Sequence, residues 1–148
     1  MNRITISRAA RKAGVGVETI RFYERKGLIE QPAKPLAGGF RVYPPESVER
    51  IRFIRQAQEL GFSLREAGEL LALRADPEAD ASDIRARVTA KLEDVEGKVR
   101  RLEQIRKALE TLIAACPGRG ALRKCTILEA LTDSEGPVGA KARDGRPA

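Results

Sequence analysis

The chain has 148 residues, 42% of them apolar and 33% charged, and these proportions predict a soluble, mostly folded protein of one domain or one domain plus an extension. There is no histidine, which argues against ordinary structural zinc sites and against an enzyme built on a histidine base; aromatics are only 4%, so no large aromatic core is expected. The net charge of +7 is unevenly spread: residues 1–75 hold 14 Lys/Arg against 8 Asp/Glu, and residues 76–148 hold 14 against 13. The basic first half is the candidate for meeting phosphate.

Taken in order, Ile4-Thr5-Ile6 is a short β-prone piece, and Thr5 or Ser7 can cap a helix that Gly14 ends. Val17, Ile20 and Phe22 predict the apolar face of a second short helix, stopped at Gly27. Two short helices joined by a glycine turn make a helix-turn-helix pattern. Its second helix is expected to expose Thr19, Arg21, Tyr23 and Arg25, residue types that contact phosphates and bases. Residues 31–44 predict a β-hairpin with Gly38-Gly39 at its tip and Phe40-Arg41-Val42-Tyr43 alternating along one strand. That hairpin would be a wing whose Arg41 and Tyr43 reach the DNA backbone.

Pro44-Pro45-Glu46 opens a third helix carrying Val48, Ile51, Phe53, Ile54 and Ala57, closed at Leu60-Gly61. Ser63 with Glu66 three residues on is a capping box for a fourth, bearing Ala67, Leu70, Leu71 and Leu73. Asp76-Pro77 breaks the pattern and marks a domain boundary. Ile84, Val88, Leu92, Val95, Val99, Leu102, Ile105, Leu109 and Leu112 then recur in steps of three and four. A helix over 84–114 would be about 45 Å long at about 1.5 Å per residue. So long a one-sided stripe predicts a partner helix from a second copy.

The only two cysteines, Cys116 and Cys125, bracket a loop containing Pro117, Gly118 and Gly120. With neither a secretory signal nor a membrane-spanning run, the expected location is the reducing cytoplasm, where paired cysteines bind metal or do redox chemistry more often than they form structural disulfides. Two thiolates alone suit a soft, low-coordinate ion of the Cu(I) or Hg(II) class. A redox sensor closing a Cys116–Cys125 disulfide is the alternative. A thiol oxidoreductase is disfavoured, because no histidine partner and no Cys-x-x-Cys are present. The segment 133–148, rich in Gly, Pro, Ala and charge, is expected to be a disordered tail.

Together these stretches resemble one family. Thr19-Ile20-Arg21-Phe22-Tyr23-Glu24, Gly27-Leu28, Gly39-Phe40-Arg41-Val42-Tyr43, Leu60-Gly61-Phe62-Ser63-Leu64 and Glu69-Leu70-Leu71, in this order, are similar to the MerR transcription regulators across residues 4–132. The resemblance implies a mainly α fold: a winged helix-turn-helix domain with connector helices over 1–75, and a linker and dimerisation helix forming an antiparallel coiled coil over 76–115. A metal loop and short helix would follow over 116–132. It also implies a homodimer that binds double-stranded promoter DNA with an overlong spacer. The effector-bound dimer would untwist that DNA so that RNA polymerase can use it, a form of indirect readout. By this resemblance Thr19, Arg21, Tyr23, Arg41 and Tyr43 contact DNA, and Cys116 and Cys125 hold the metal. The loop has the length found in mercury, lead and cadmium sensors, whereas copper sensors usually have a slightly shorter one. Divalent-metal sensors carry a third cysteine, given by the other subunit, at the start of the dimerisation helix; Ala81 stands at that place here. Loop and Ala81 thus point to different ions, and mercury-type and Cu(I)/Ag(I)/Au(I)-type sensing both stay open.

Overall fold

The structure is a computed structural model that describes residues 3–138. The chain's elements include the α-helices α1 (Ile6–Ala13), α2 (Val17–Arg25), α3 (Pro45–Glu59), α4 (Leu64–Ala75), α5 (Ala81–Ala115) and α6 (Thr126–Thr132). A single 3₁₀ turn, Leu122–Lys124, precedes α6. Chain contacts divide the molecule into two compact units, with the break after Lys91. The first unit therefore runs past the boundary expected at 76 and takes in the opening turns of α5.

Capping chemistry sets most of the ends in the first unit. Thr5, not Ser7, caps α1 by accepting from the Arg8 amide, and Gly14 closes it with a left-handed φ of 70°. Ser63 and Glu66 form the expected reciprocal box at the start of α4. At the start of α5, Asp80 accepts from the Ser82 amide at 2.9 Å and Asp83 accepts from the Asp80 amide at 2.8 Å. Pro45 sits in the first turn of α3, where its missing amide costs nothing.

One apolar core fills this unit. Ala9, Ile20, Ile51, Ile54 and Ala67 are its most buried members, with Ile84 of α5 packed at its edge. Small residues on α1 (Ala9, Ala10, Ala13) let it sit close to α3. The core face of α2 is Ile20 with Tyr23, while Phe22 points outward. A period of 3.6 explains that correction: residue 23 follows residue 20 on the same face and residue 22 does not.

The expected hairpin is also corrected. Among the described residues there is no β-strand, and 31–44 is a loop with a turn in which Gly38 N donates to Pro35 O at 3.0 Å. Pro32 and Pro35 lack amide donors, which leaves the arm 31–35 poorly supplied for a ladder. The Tyr43 amide bonds instead to Ile4 O at 2.8 Å, tying the end of the loop to the chain's first extended piece.

In the second unit α5 continues to Ala115 and α6 follows the cysteine loop. The helix is one residue run of 35, about 52 Å long, and starts earlier than expected because Asp80 caps it. Of the disordered tail expected over 133–148, residues 133–138 are corrected to a turn and helical backbone, and 139–148 lie outside the described residues.

Candidate functional site

The helix-turn-helix is held in shape from α3. Arg52 donates through Nε and Nη2 to Lys12 O at 3.0 and 2.6 Å, satisfying a carbonyl left without a partner at the end of α1. Arg50 Nε donates to Leu28 O at 2.6 Å, just past the end of α2. Tyr23 donates its hydroxyl to Gln58 Oε1 of α3 at 2.6 Å. These contacts fix the angle at which α2 presents its outer face.

That face and the loop 31–44 form a cleft of about 340 Å³ whose lining includes Arg21, Lys34, Phe40 and Arg41. Three cations and no carboxylate line it, an arrangement suited to a phosphate oxygen. Arg21 is exposed and makes only a 3.4 Å contact with the still more exposed Glu18, a weak tether in water. Arg41 Nε is buried without a hydrogen-bond partner among the described residues. A buried guanidinium donor left unpaired is costly unless an anion completes it. Phe22, beside this face, carries Arg25 and Lys26 over its ring at 5.8 and 5.6 Å. The stacking restrains both cations.

Of the five residues expected to touch DNA, Arg21, Arg41 and Tyr43 line the cleft, and Thr19 is half-buried on α2. Tyr23 and Tyr43 are corrected as exposed side chains: each is only 2% exposed and belongs to the core. Tyr43 donates its hydroxyl to Glu24 Oε1 at 3.0 Å, joining the loop to α2. Burial first, and the Glu24 hydrogen bond second, push the Tyr43 hydroxyl up to about 12. Burial likewise raises Tyr23, against a smaller opposing pull from Arg55. Both therefore work as neutral hydrogen-bond donors. Lys34 was missed because it stands between two prolines in a segment read as a wing arm. Arg50 and Arg52 were missed because side chain–carbonyl bonds across 22 and 40 residues leave no local pattern.

The second candidate site is the cysteine loop. The Cys116 amide donates to Leu112 O at 3.1 Å, so this residue ends α5; Cys125 N-caps α6, its carbonyl accepting from the Glu129 amide at 3.2 Å. Both thiols are free and half-buried. The loop turns through Gly118 and Gly120, whose φ of 76° and 110° only glycine adopts readily. Among the described residues no three His, Cys, Asp or Glu side chains gather as a metal cluster. Ala81 is exposed at the first position of α5 and offers a methyl, not a ligand. The donor set is thus two sulfurs, which fits a soft ion of low coordination number and not a four-ligand zinc site.

Near the start of α5, Lys91 binds Glu66 at 2.8 Å and lies over the Phe62 ring at 5.4 Å, while Arg87 pairs with Glu69. These contacts join the opening turns of α5 to α4. The Lys91 hydrogen bond, then the Ser63 amide, hold the Glu66 carboxyl down at about 2.

A helix-turn-helix braced from a following helix, with a cationic cleft on the outer side of its second helix, defines a DNA-binding transcription regulator. Residues 4–73 match the model of the MerR HTH family regulatory protein, and residues 48–112 match the model described as MerR, DNA binding. The chain belongs to the MerR family. It is 40% identical over 142 residues to the mercuric resistance operon regulatory protein of Serratia marcescens, covering 96% of each chain. It is similar to the lead(II) complex of the transcription regulator PbrR691 from Ralstonia metallidurans CH34, with a TM-score of 0.77 at 34% identity, covering 86% of this chain and 98% of that one. It is similar also to the mercury(II) complex of the MerR regulator of Bacillus megaterium MB1, with a TM-score of 0.65 at 37% identity, covering 89% of this chain and all of that one. Among the described residues no helix is long and apolar enough to cross a membrane.

Proposed function

We propose that this protein is a homodimeric, metal-responsive regulator of a heavy-metal resistance operon, that it takes a soft ion between Cys116 and Cys125, and that mercury(II) is its signal. The observation that carries the reading is the loop itself. Its two thiols are the chain's only sulfur ligands besides Met1, and each is anchored in the end of a different helix. Likeness to a mercuric resistance regulator and to a mercury(II)-bound structure supports mercury among the soft ions.

The residues divide the work. Cys116 and Cys125 lose their protons when they ligate, and the bound ion supplies a rigid sulfur–metal–sulfur bridge. Arg21 and Arg41 hold promoter phosphates, and Thr19 on α2 meets the groove. The stripe of α5 pairs two copies. RNA polymerase on the same promoter is the partner that reads the resulting change in DNA shape.

Ala81 favours a second reading, in which the site serves a monovalent soft ion. Two thiolates complete the shell of Cu(I), whereas lead(II) and cadmium(II) want more ligands. Promoter activation by each ion, in wild type and Ala81→Cys side by side, separates the two. Under the mercury reading Hg(II) activates the wild type, and the added thiol increases the response. Activation by Cu(I) with none by Hg(II) would establish the monovalent reading. Undiminished activation by every ion in Cys116→Ser would reject both.

A further inference from the structure

The two cysteines lie nine positions apart along the chain's C-terminal segment, and the residues flanking them outside the loop are joined. Thr126 donates its side-chain hydroxyl to Ala115 O at 3.1 Å. Ala115 is the last residue of α5 and Thr126 the first of α6, so this bond closes the neck of the loop immediately outside both thiols. Ala115 O is one of the carbonyls that a helix end leaves without an intrahelical partner. Each cysteine is already fixed to its own helix, Cys116 by its amide and Cys125 by its carbonyl. What remains free is the relation between the two helix ends. The Thr126–Ala115 bond is the contact that sets it, while Gly118 and Gly120 let the chain between turn back without strain.

We infer that Thr126 is a positioning residue for the ligand pair: its hydroxyl clasps the end of α5 to the start of α6 and holds the two thiols together before any ion arrives. This rests on the reading of Cys116 and Cys125 as the ligands. Ordering a loop costs conformational entropy, and a loop closed beforehand binds more tightly by the share of that cost already met. Thr126 touches no ion in this scheme; it acts through the backbone that carries the sulfurs.

The test compares Thr126→Val, which keeps the shape and removes the donor, with Thr126→Ser, which keeps the donor. The first readout is metal-free. Reduced protein is equilibrated with glutathione disulfide: the two thiols give up two electrons and two protons, the Cys116–Cys125 bond forms, and two molecules of glutathione are released. The equilibrium constant measures how closely the thiols are held. Thr126→Val is expected to lower it roughly fivefold, the effect of one hydrogen bond, and Thr126→Ser to restore it to within about twofold. The second readout is a competition titration with Hg(II), in which the same ordering and roughly the same factor are expected. A wild-type equilibrium constant in Thr126→Val, or a serine variant as impaired as valine, overturns the clasp. Unchanged Hg(II) uptake in Cys116→Ser would instead show that the ligand assignment is wrong, while the glutathione equilibrium still decides the clasp on its own.

Discussion

Replacing Leu102 with alanine should dissociate the dimer while leaving each chain folded. Leu102 lies at the middle of the α5 stripe and is 64% exposed in the single chain, beside Val99 at 53% and Leu109 at 54%. Fully burying a leucine side chain contributes about 1.5–3 kcal/mol, so covering the exposed part contributes about 1–2 kcal/mol per copy. Two copies meet in a symmetric pair, giving about 2–4 kcal/mol and a dissociation constant raised by about 30- to 700-fold. Arg101→Ala, one position off the stripe, is the control and should change dissociation little. Sedimentation equilibrium from nanomolar to micromolar protein gives both constants, and circular dichroism checks that the helices persist. Equal dissociation constants for wild type and Leu102→Ala would refute pairing through this stripe. So would a larger effect from Arg101→Ala.

Other outcomes follow from the first unit. The double variant Arg21→Ala/Arg41→Ala should bind promoter DNA more weakly and with a flatter salt dependence by about two phosphate contacts, read by fluorescence anisotropy across a salt series. Tyr43→Phe leaves the half-buried Glu24 carboxylate without its hydroxyl donor, and urea denaturation should show a loss of about 1–3 kcal/mol. Glu66, held at about 2 by Lys91 and the Ser63 amide, supplies stability that is present above its ordinary value of 4.5 and lost as pH falls toward 2. The denaturation midpoint of the wild type should therefore fall over that window, and Glu66→Gln should flatten this part of the profile.

Elements whose ends are set by their own side chains were legible from the sequence. The Ser63–Glu66 box, the Gly14 stop and the α5 stripe depend on neighbours within a turn or two, and the chain spells them out. The cysteine pair was legible for the same reason, since its two residues bracket one short loop. The loop 31–44 was not: its alternation reads as a strand, but its prolines withhold the donors that a strand needs, and only the fold reveals that the Tyr43 amide goes to Ile4 O. The burial of Tyr23 and Tyr43 was not legible because a tyrosine's polar tip suits both a DNA backbone and a buried acceptor. Which one it meets depends on Gln58 and Glu24, distant in sequence. The period of α2 held the clue for Tyr23, three residues from Ile20; nothing comparable marked Tyr43.

Net charge points to the first half as the one that meets DNA, but it overstates how many of its cations are free to do so. Arg52 gives two donors to Lys12 O and Arg50 one to Leu28 O, so both guanidinium groups serve the frame. Arg55, Arg65 and Arg74 pair with Glu59, Glu69 and Glu49 along or between helices, and Arg87 shares Glu69. Those exposed pairs are weak tethers, whereas Arg50 and Arg52, committed to backbone carbonyls, contribute little to the salt dependence of binding. They matter in another way. A recognition helix of nine residues is too short to be stable alone, and it gains its geometry from what braces it. The α3 arginines and Gln58 supply that brace from outside the helix, which leaves the outer face of α2, with Arg21, open. The charge excess of the first half thus divides between building the reading head and touching what it reads, and only the second share is set by the DNA.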